Sequence, residues 1–207
     1  MIELTKEGDL WIVSLNRPNK ANSLTLQMLE DLISIVEKAQ GIRVLVLTGV
    51  GKVFSAGADL EEIKTTDLAT ADVWERLSQA IADFSGLTIA ALNGTLAGGA
   101  CGMALACDIR IAVPMAKVFY PVMKLGYLPQ PSDPARLTAL VGPARAKLVL
   151  MAGQKLSTEE SYQFGLFDRI VEPEDLLQTA RELSANVLAA RPEIVSGIKD
   201  LCQRRIS

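Results

Sequence analysis

Two runs of small residues carry the first chemical signal in this chain: Phe54-Ser55-Ala56-Gly57-Ala58-Asp59-Leu60 and Asn93-Gly94-Thr95-Leu96-Ala97-Gly98-Gly99-Ala100. Each follows a short apolar stretch, 44–48 and 88–92, and each leads into helical sequence, so both read as strand-to-helix loops. Loops of this kind can aim main-chain N–H groups into a shared cavity. Their small side chains let a ligand come close to the backbone, and a helix N-terminus adds a partial positive charge that favours an anion. The same residues also serve plain close packing of strand on helix, and the sequence leaves both uses open.

Rival chemistries drop out. The chain has no histidine, which removes Ser–His and Cys–His dyads, histidine proton shuttles and most zinc sites. Gly49-Val50-Gly51-Lys52-Val53 follows a strand, but its glycines are too close together for a phosphate-binding loop, and Val53 stands where a magnesium-holding hydroxyl belongs. Ser55 lacks the glycine two residues earlier that a nucleophile elbow needs. Cys101, Cys107 and Cys202 match no zinc or redox spacing and read as reduced thiols of a cytoplasmic protein.

The elements that must position the loops follow from periodicity. Residues 2–6 and 10–15 form a hairpin around Glu7-Gly8-Asp9, and 16–19 is a turn after which Asn22-Ser23 can cap a helix. Leu29, Leu32, Ile33 and Val36 recur at helical spacing, predicting an amphipathic helix over about 25–40. Strands are expected at 44–48, 88–92 and 109–113, with polar helical sequence from the first loop to about 85 and a helix over 99–107. Strands alternating with helices imply an α/β core with crossover connections. After Pro134 the chain turns mostly helical: Ser157-Thr158-Glu159-Glu160 is a capping box, 168–171 a short strand, and Pro173 opens a helix over 174–190.

A length of 207 residues gives one sizeable core, and 49% apolar with 22% charged residues is a normal globular balance. A net charge of −3 gives no general attraction to nucleic acid or anionic lipid, and Arg204–Arg205 reads as a solvated helix end. The first residues are too charged for a signal peptide. Residues 87–107 carry no charge and are long enough to span a bilayer, but Asn93, Thr95 and the glycines at 94, 98, 99 and 102 divide them into strand, loop and helix, so they read as buried core.

The order of motifs resembles the crotonase (enoyl-CoA hydratase/isomerase) superfamily. The matching stretches are Val13-Ser14-Leu15-Asn16-Arg17-Pro18 with Asn22-Ser23-Leu24, Leu45-Val46-Leu47-Thr48-Gly49, and the 54–60 loop. Asn93-Gly94 with Gly98-Gly99 follows, then Ala106-Cys107-Asp108-Ile109-Arg110-Ile111-Ala112, Lys124-Leu125-Gly126 with Pro129, Arg136-Leu137, Val141-Gly142 and Gly165-Leu166-Phe167. The resemblance implies a single α/β domain, a spiral of ββα units over about 1–142 with a shortened, mainly helical part over about 143–207, assembled as a trimer or hexamer. It implies an acyl-CoA or carrier-bound acyl thioester as substrate, coenzyme A entering only as part of that substrate, and no tightly bound cofactor or metal. By position, the N–H groups of Ala58 and Gly99 become an oxyanion hole for the thioester carbonyl, Ala56, Gly57, Ala58, Asp59 and Leu60 border the coenzyme A adenine, and Lys20 is a phosphate contact or an ordinary solvated lysine.

The chain departs from the family pattern where hydratases carry two glutamates: those positions are Gly102 and Val122. Neither residue can activate water or deliver a proton, help worth about 10²–10⁴ in rate. Other polar residues come forward as candidates. Gln130 follows Pro129 but cannot act as a general base. Asp133 reads as the N-cap of the helix before Pro134 or as a proton carrier, Glu62 as a solvated helix glutamate or an acyl-pocket acid, and Tyr120 and Tyr127 as packing residues or proton donors. The expected function is an enolate-forming lyase or isomerase such as a decarboxylase; the competing one is a thioester-binding or assembly subunit without catalysis. The shortened C-terminus implies fewer coenzyme A contacts than the family's usual complement.

Overall fold

A computed structural model describes residues 1–203, so Arg204–Arg205 lie outside the described residues. The chain opens with the hairpin β1 (Ile2–Glu7) and β2 (Leu10–Leu15), paired antiparallel in unbroken register from Ile2–Leu15 to Glu7–Leu10. Helix α1 (Leu26–Lys38) buries Met28, Leu29, Leu32, Ile33 and Val36, the stripe that the 3.6-residue period dictates. Its N-cap is Thr25, whose hydroxyl accepts the Met28 N–H, and not Asn22-Ser23. Asn22 is instead buried with its amide holding the Val50 and Val53 carbonyls, because its backbone adopts φ 52, outside a capping conformation.

Three ββα turns of a spiral follow. Strand β3 (Val44–Gly49) is succeeded by β4 (Val53–Ser55), α2 (Leu60–Ile63) and α3 (Val73–Ala82); β5 (Leu87–Leu92) by β6 (Thr95–Ala97) and α4 (Cys101–Ala106); β7 (Ile109–Ala112) by β8 (Val118–Phe119) and α5 (Val122–Leu125). The longer strand of each turn joins a six-stranded sheet ordered β1-β2-β3-β5-β7-β9, where β9 is Arg169–Ile170, and the shorter strand joins a three-stranded sheet ordered β4-β6-β8. Among the described residues, every pairing between strands of the two sheets other than the β1–β2 hairpin is parallel, which requires the helical crossovers. The uncharged stretch over 87–107 is β5, β6 and α4, buried as expected.

The smaller sheet has no signature in the sequence: two- and three-residue strands are too short to leave a periodic trace. The polar stretch expected to be continuously helical up to 85 is broken into α2, a 3-10 turn Leu68–Thr70, and α3, because only Val73, Trp74, Leu77 and Ile81 supply a buried stripe. Helices α6 (Asp133–Val141), α7 (Pro143–Leu150), α8 (Thr158–Gln163), α9 (Leu176–Ala189) and α10 (Pro192–Gln203) complete the described chain. The capping box at Ser157 and Glu160 forms with both reciprocal bonds, and Pro173 opens a 3-10 turn leading into α9. Helix α9 packs back on β3, β5 and β7, and Arg43 fastens its end by bonding the Leu188 and Ala190 carbonyls.

Candidate active site

The two small-residue loops lie against each other at the ends of β4 and β6. Gly57 has φ +90, and a Cβ there would sit 2.9 Å from the Ala97 carbonyl oxygen, so only glycine admits this approach of the first loop to the second. At Gly99 a Cβ would lie 3.1 Å from the Trp74 indole, whose N–H is spent on the Leu68 carbonyl. Trp74 thus forms the floor that holds the second loop forward.

Both loops border one cavity of about 190 Å³. Ala58 is paired with Leu24 in a parallel bridge: the Leu24 N–H donates to the Gly57 carbonyl at 2.8 Å and the Asp59 N–H to the Leu24 carbonyl at 2.9 Å. Those flanking bonds turn the Ala58 N–H away from Leu24. Gly99 lies in the opening 3-10 turn Gly98–Ala100 that runs into α4, where first-turn N–H groups have no acceptor within the helix. The two amides therefore belong to residues that line the same space and neither is consumed by the secondary structure around it. Ala56, Leu60 and Gly98 also line the cavity, while Gly57 is buried behind it.

Asp59 does not face this space. It is buried, accepts the Glu61 and Glu62 N–H groups as the N-cap of α2, and pairs with Arg17, whose other bonds go to the Ser23 carbonyl and hydroxyl. The Arg17 guanidinium is the main reason its carboxyl is held down to about 2. The Arg17–Asp59 pair clamps the first loop onto the turn after β2. Lys20 lies on that turn, exposed, and the turn touches the loop directly through the Ala56 N–H to Ala21 carbonyl bond of 3.0 Å.

The rest of the wall is apolar, hydroxylic or, at Gln130, a carboxamide: Ile63, Phe119, Tyr120, Val122, Tyr127 and Gln130 among others, with no carboxylate, lysine or arginine among the described residues. Glu62 is turned elsewhere. Its carboxylate accepts the Leu26 N–H at 3.1 and 3.3 Å, which sets it at the positive end of α1 and not in the cavity wall. Gln130 lines the wall.

Asp133 departs from the cap reading. It is the first residue of α6 and caps nothing; Ser132 precedes the helix and is itself held by Glu75. Asp133 is 0% exposed, its Oδ2 accepts the Tyr120 hydroxyl at 2.9 Å, and its Oδ1 has no partner among the described residues. Burial dominates its titration and raises the carboxyl to about 6, partly countered by the Tyr120 bond. The Tyr120 hydroxyl is pushed well up, by burial first and the Asp133 charge second. The vacancy that admits this carboxylate is Gly102: a Cβ there would lie 3.0 Å from Oδ1 and 3.2 Å from Oδ2. The pairing joins residues 13 apart on different elements, and no spacing rule announces it. The glycine at 102 was the one available hint, since it marks a place in a buried helix where something else must fill the space.

Fold and site together define a ββα-spiral α/β protein in which two loop amides border a single apolar cavity. Residues 5–207 match the enoyl-CoA hydratase/isomerase family. Among curated proteins, the chain is 34% identical to a short-chain-enoyl-CoA hydratase of Clostridium acetobutylicum over 209 residues, covering 97% of this chain and 80% of that one. It is 34% identical to a crotonyl-CoA hydratase of Syntrophomonas wolfei, covering 91% and 75%. The crystal structure of an enoyl-CoA hydratase from Bacillus anthracis superposes with a TM-score of 0.89 at 30% identity, covering 96% of this chain and 81% of that one. Pseudomonas aeruginosa DspI does so with 0.89 at 32%, covering 98% and 86%. The chain belongs to the enoyl-CoA hydratase/isomerase (crotonase) family of acyl-CoA-processing enzymes.

Proposed function

We propose that this chain processes an acyl-CoA or carrier-bound acyl thioester through an enolate held by the Ala58 and Gly99 amides, as a decarboxylase or isomerase and not as a standard hydratase. The observation that carries this reading is a cavity bordered by both residues whose wall holds no carboxylate, lysine or arginine among the described residues. It agrees with Gly102 and Val122 standing where the family resemblance implies hydratase glutamates. Water addition needs one group to activate water and another to deliver a proton; this wall offers two tyrosine hydroxyls and the Gln130 amide, none of them an effective general base. Loss of carbon dioxide from a malonyl-type thioester generates the enolate with no base, and a double-bond shift needs one group that takes a proton and returns it. Both depend mainly on stabilising negative charge on the thioester oxygen, for which each aligned donor is worth about 10²–10³ in rate.

Coenzyme A enters as part of the substrate, with its adenine beside Ala56 to Leu60 and Lys20 near its phosphates. The protein acts in the cytoplasm as a homo-oligomer, trimer or hexamer. Exposed apolar side chains beside the cavity support assembly: Met123, Leu125 and Leu128, the last 90% exposed. Light scattering on the purified protein checks the subunit number.

The purified chain is incubated with crotonyl-CoA, a 3-enoyl-CoA and malonyl-type CoA esters, and products are followed by mass spectrometry. Carbon dioxide loss or a double-bond shift without appreciable hydration is expected. Rapid hydration of crotonyl-CoA overturns the reading, and tight binding of every ester without turnover replaces it with a thioester-binding or assembly role.

A further inference from the structure

The geometry points to a buried proton relay, in which Tyr120 exchanges a proton with the α-carbon of the bound thioester and Asp133 holds that proton behind it. This rests on the enolate reading above and names the acid–base group that reading leaves open. Three independent observations carry it. Tyr120 is a hydroxyl-bearing residue of the cavity wall that also includes Ala58 and Gly99, and it is only 4% exposed. Its hydroxyl donates to Asp133 Oδ2 at 2.9 Å, giving the phenol a fixed acceptor behind the wall. Asp133 is fully buried with Oδ1 unpartnered among the described residues, a state that a purely structural carboxylate avoids because a buried acceptor without a donor is destabilising.

The carboxylate also occupies the space next to Gly102, so an acid carried on α6 fills the room that a glycine of α4 leaves. The charged and titratable groups around it are few: Tyr120 beyond β8, Arg136 on α6, Glu75 on α3 and the buried Cys101 thiol on α4. Arg136 favours the carboxylate and Glu75 the acid, leaving burial in control and the group at about 6, near the range where a proton is both taken and returned.

The step balances without a co-reactant. The α-hydrogen passes as a proton to the Tyr120 oxygen while the Tyr120 proton passes to Asp133 Oδ2. The C–H electron pair forms the α-carbon to carbonyl-carbon double bond, and the carbonyl pair moves onto the oxygen facing the Ala58 and Gly99 amides. Tyr120 stays neutral throughout, the thioester becomes an enolate, and Asp133 becomes an uncharged acid. Reversal protonates the enolate, including one formed by loss of carbon dioxide.

Butyryl-CoA tests the relay apart from net turnover, because it can be neither hydrated, decarboxylated nor isomerised. The full chain is incubated with it in D₂O, and deuterium at the α-carbon is measured by mass spectrometry from about pH 4 to about pH 8, about two units either side of the Asp133 value of about 6. The wild type is expected to exchange, with a rate that rises as pH passes through about 6. Tyr120→Phe, which keeps the ring, is expected to lower exchange by about 10²–10⁴. Asp133→Asn is expected to lower it and to abolish the rise near pH 6. Both variants should retain butyryl-CoA binding by calorimetry. Exchange at the wild-type rate in both variants overturns the relay while leaving the amide pair standing, as does a wild type that binds butyryl-CoA and exchanges nothing. Failure of the wild type to bind any thioester removes the enolate reading and the relay with it.

Discussion

Asp133 shows how one side chain couples chemistry to stability. Its folded-state value of about 6 lies above the ordinary 3.8, so the folded chain binds its proton more tightly than the unfolded chain does. The stability this proton contributes is complete below pH 3.8 and is lost as pH rises through about 6. Asp133→Asn keeps the shape beside Gly102 and the acceptor for Tyr120 while removing the charge. It is expected to erase that decline and to raise stability at pH 7 by up to about 3 kcal/mol, read from urea titrations at pH 4 and pH 7. Asp59 behaves oppositely. Arg17 depresses it to about 2, so its contribution is present above pH 3.8 and is lost as pH falls toward 2. Asp59→Ala is expected to destabilise the chain by about 1–2 kcal/mol through loss of the α2 cap, with thermal melts at pH 7 as the measurement.

At the scale of elements, the site depends on two loops being pressed together from opposite sides. Gly57 must approach the Ala97 carbonyl and Gly99 must rest on the Trp74 ring, so neither loop can accept a methyl group without moving. Gly57→Ala adds a left-handed backbone penalty of about 1–3 kcal/mol to that displacement. Gly99→Ala has no such penalty, since its strain is steric contact with the indole alone. We therefore expect Gly57→Ala to lower both melting temperature and thioester turnover, and Gly99→Ala to lower turnover by about 10²–10³ with a smaller change in melting, measured by calorimetry and product assay on the same preparations.

At the scale of the molecule, Arg110 links the spiral to the helical part. It is 3% exposed on β7, and its guanidinium bonds the Leu166, Ala104, Cys107 and Asp108 carbonyls. Asp168 closes the arrangement by accepting the Arg110 N–H at 2.7 Å. A methionine of similar length fills the space but leaves several buried carbonyls unpaired. Arg110→Met is expected to lose about 3–5 kcal/mol, seen as a shift in urea midpoint with the same change by fluorescence and circular dichroism. Lys199 on α10 makes a second tie, to the Gly86 carbonyl and Asp108.

The hairpin, the three long strands, α1 and the capping box at Ser157 were legible in sequence because each rests on local periodicity or a cap between near neighbours. So was the identity of the two loops, since glycine at 57 and 99 marks where backbones must come close. The three-stranded sheet, the Arg17–Asp59 clamp, the capture of Glu62 by α1 and the Tyr120–Asp133 pair were not, because each joins residues brought together only when the spiral closes. Amino-acid order alone determined that this chain builds ββα turns with two small-residue loops and without glutamates at 102 and 122. Tertiary structure alone decided which acid is buried beside the cavity, because burial and the space left by Gly102 are properties of packing and not of any one segment.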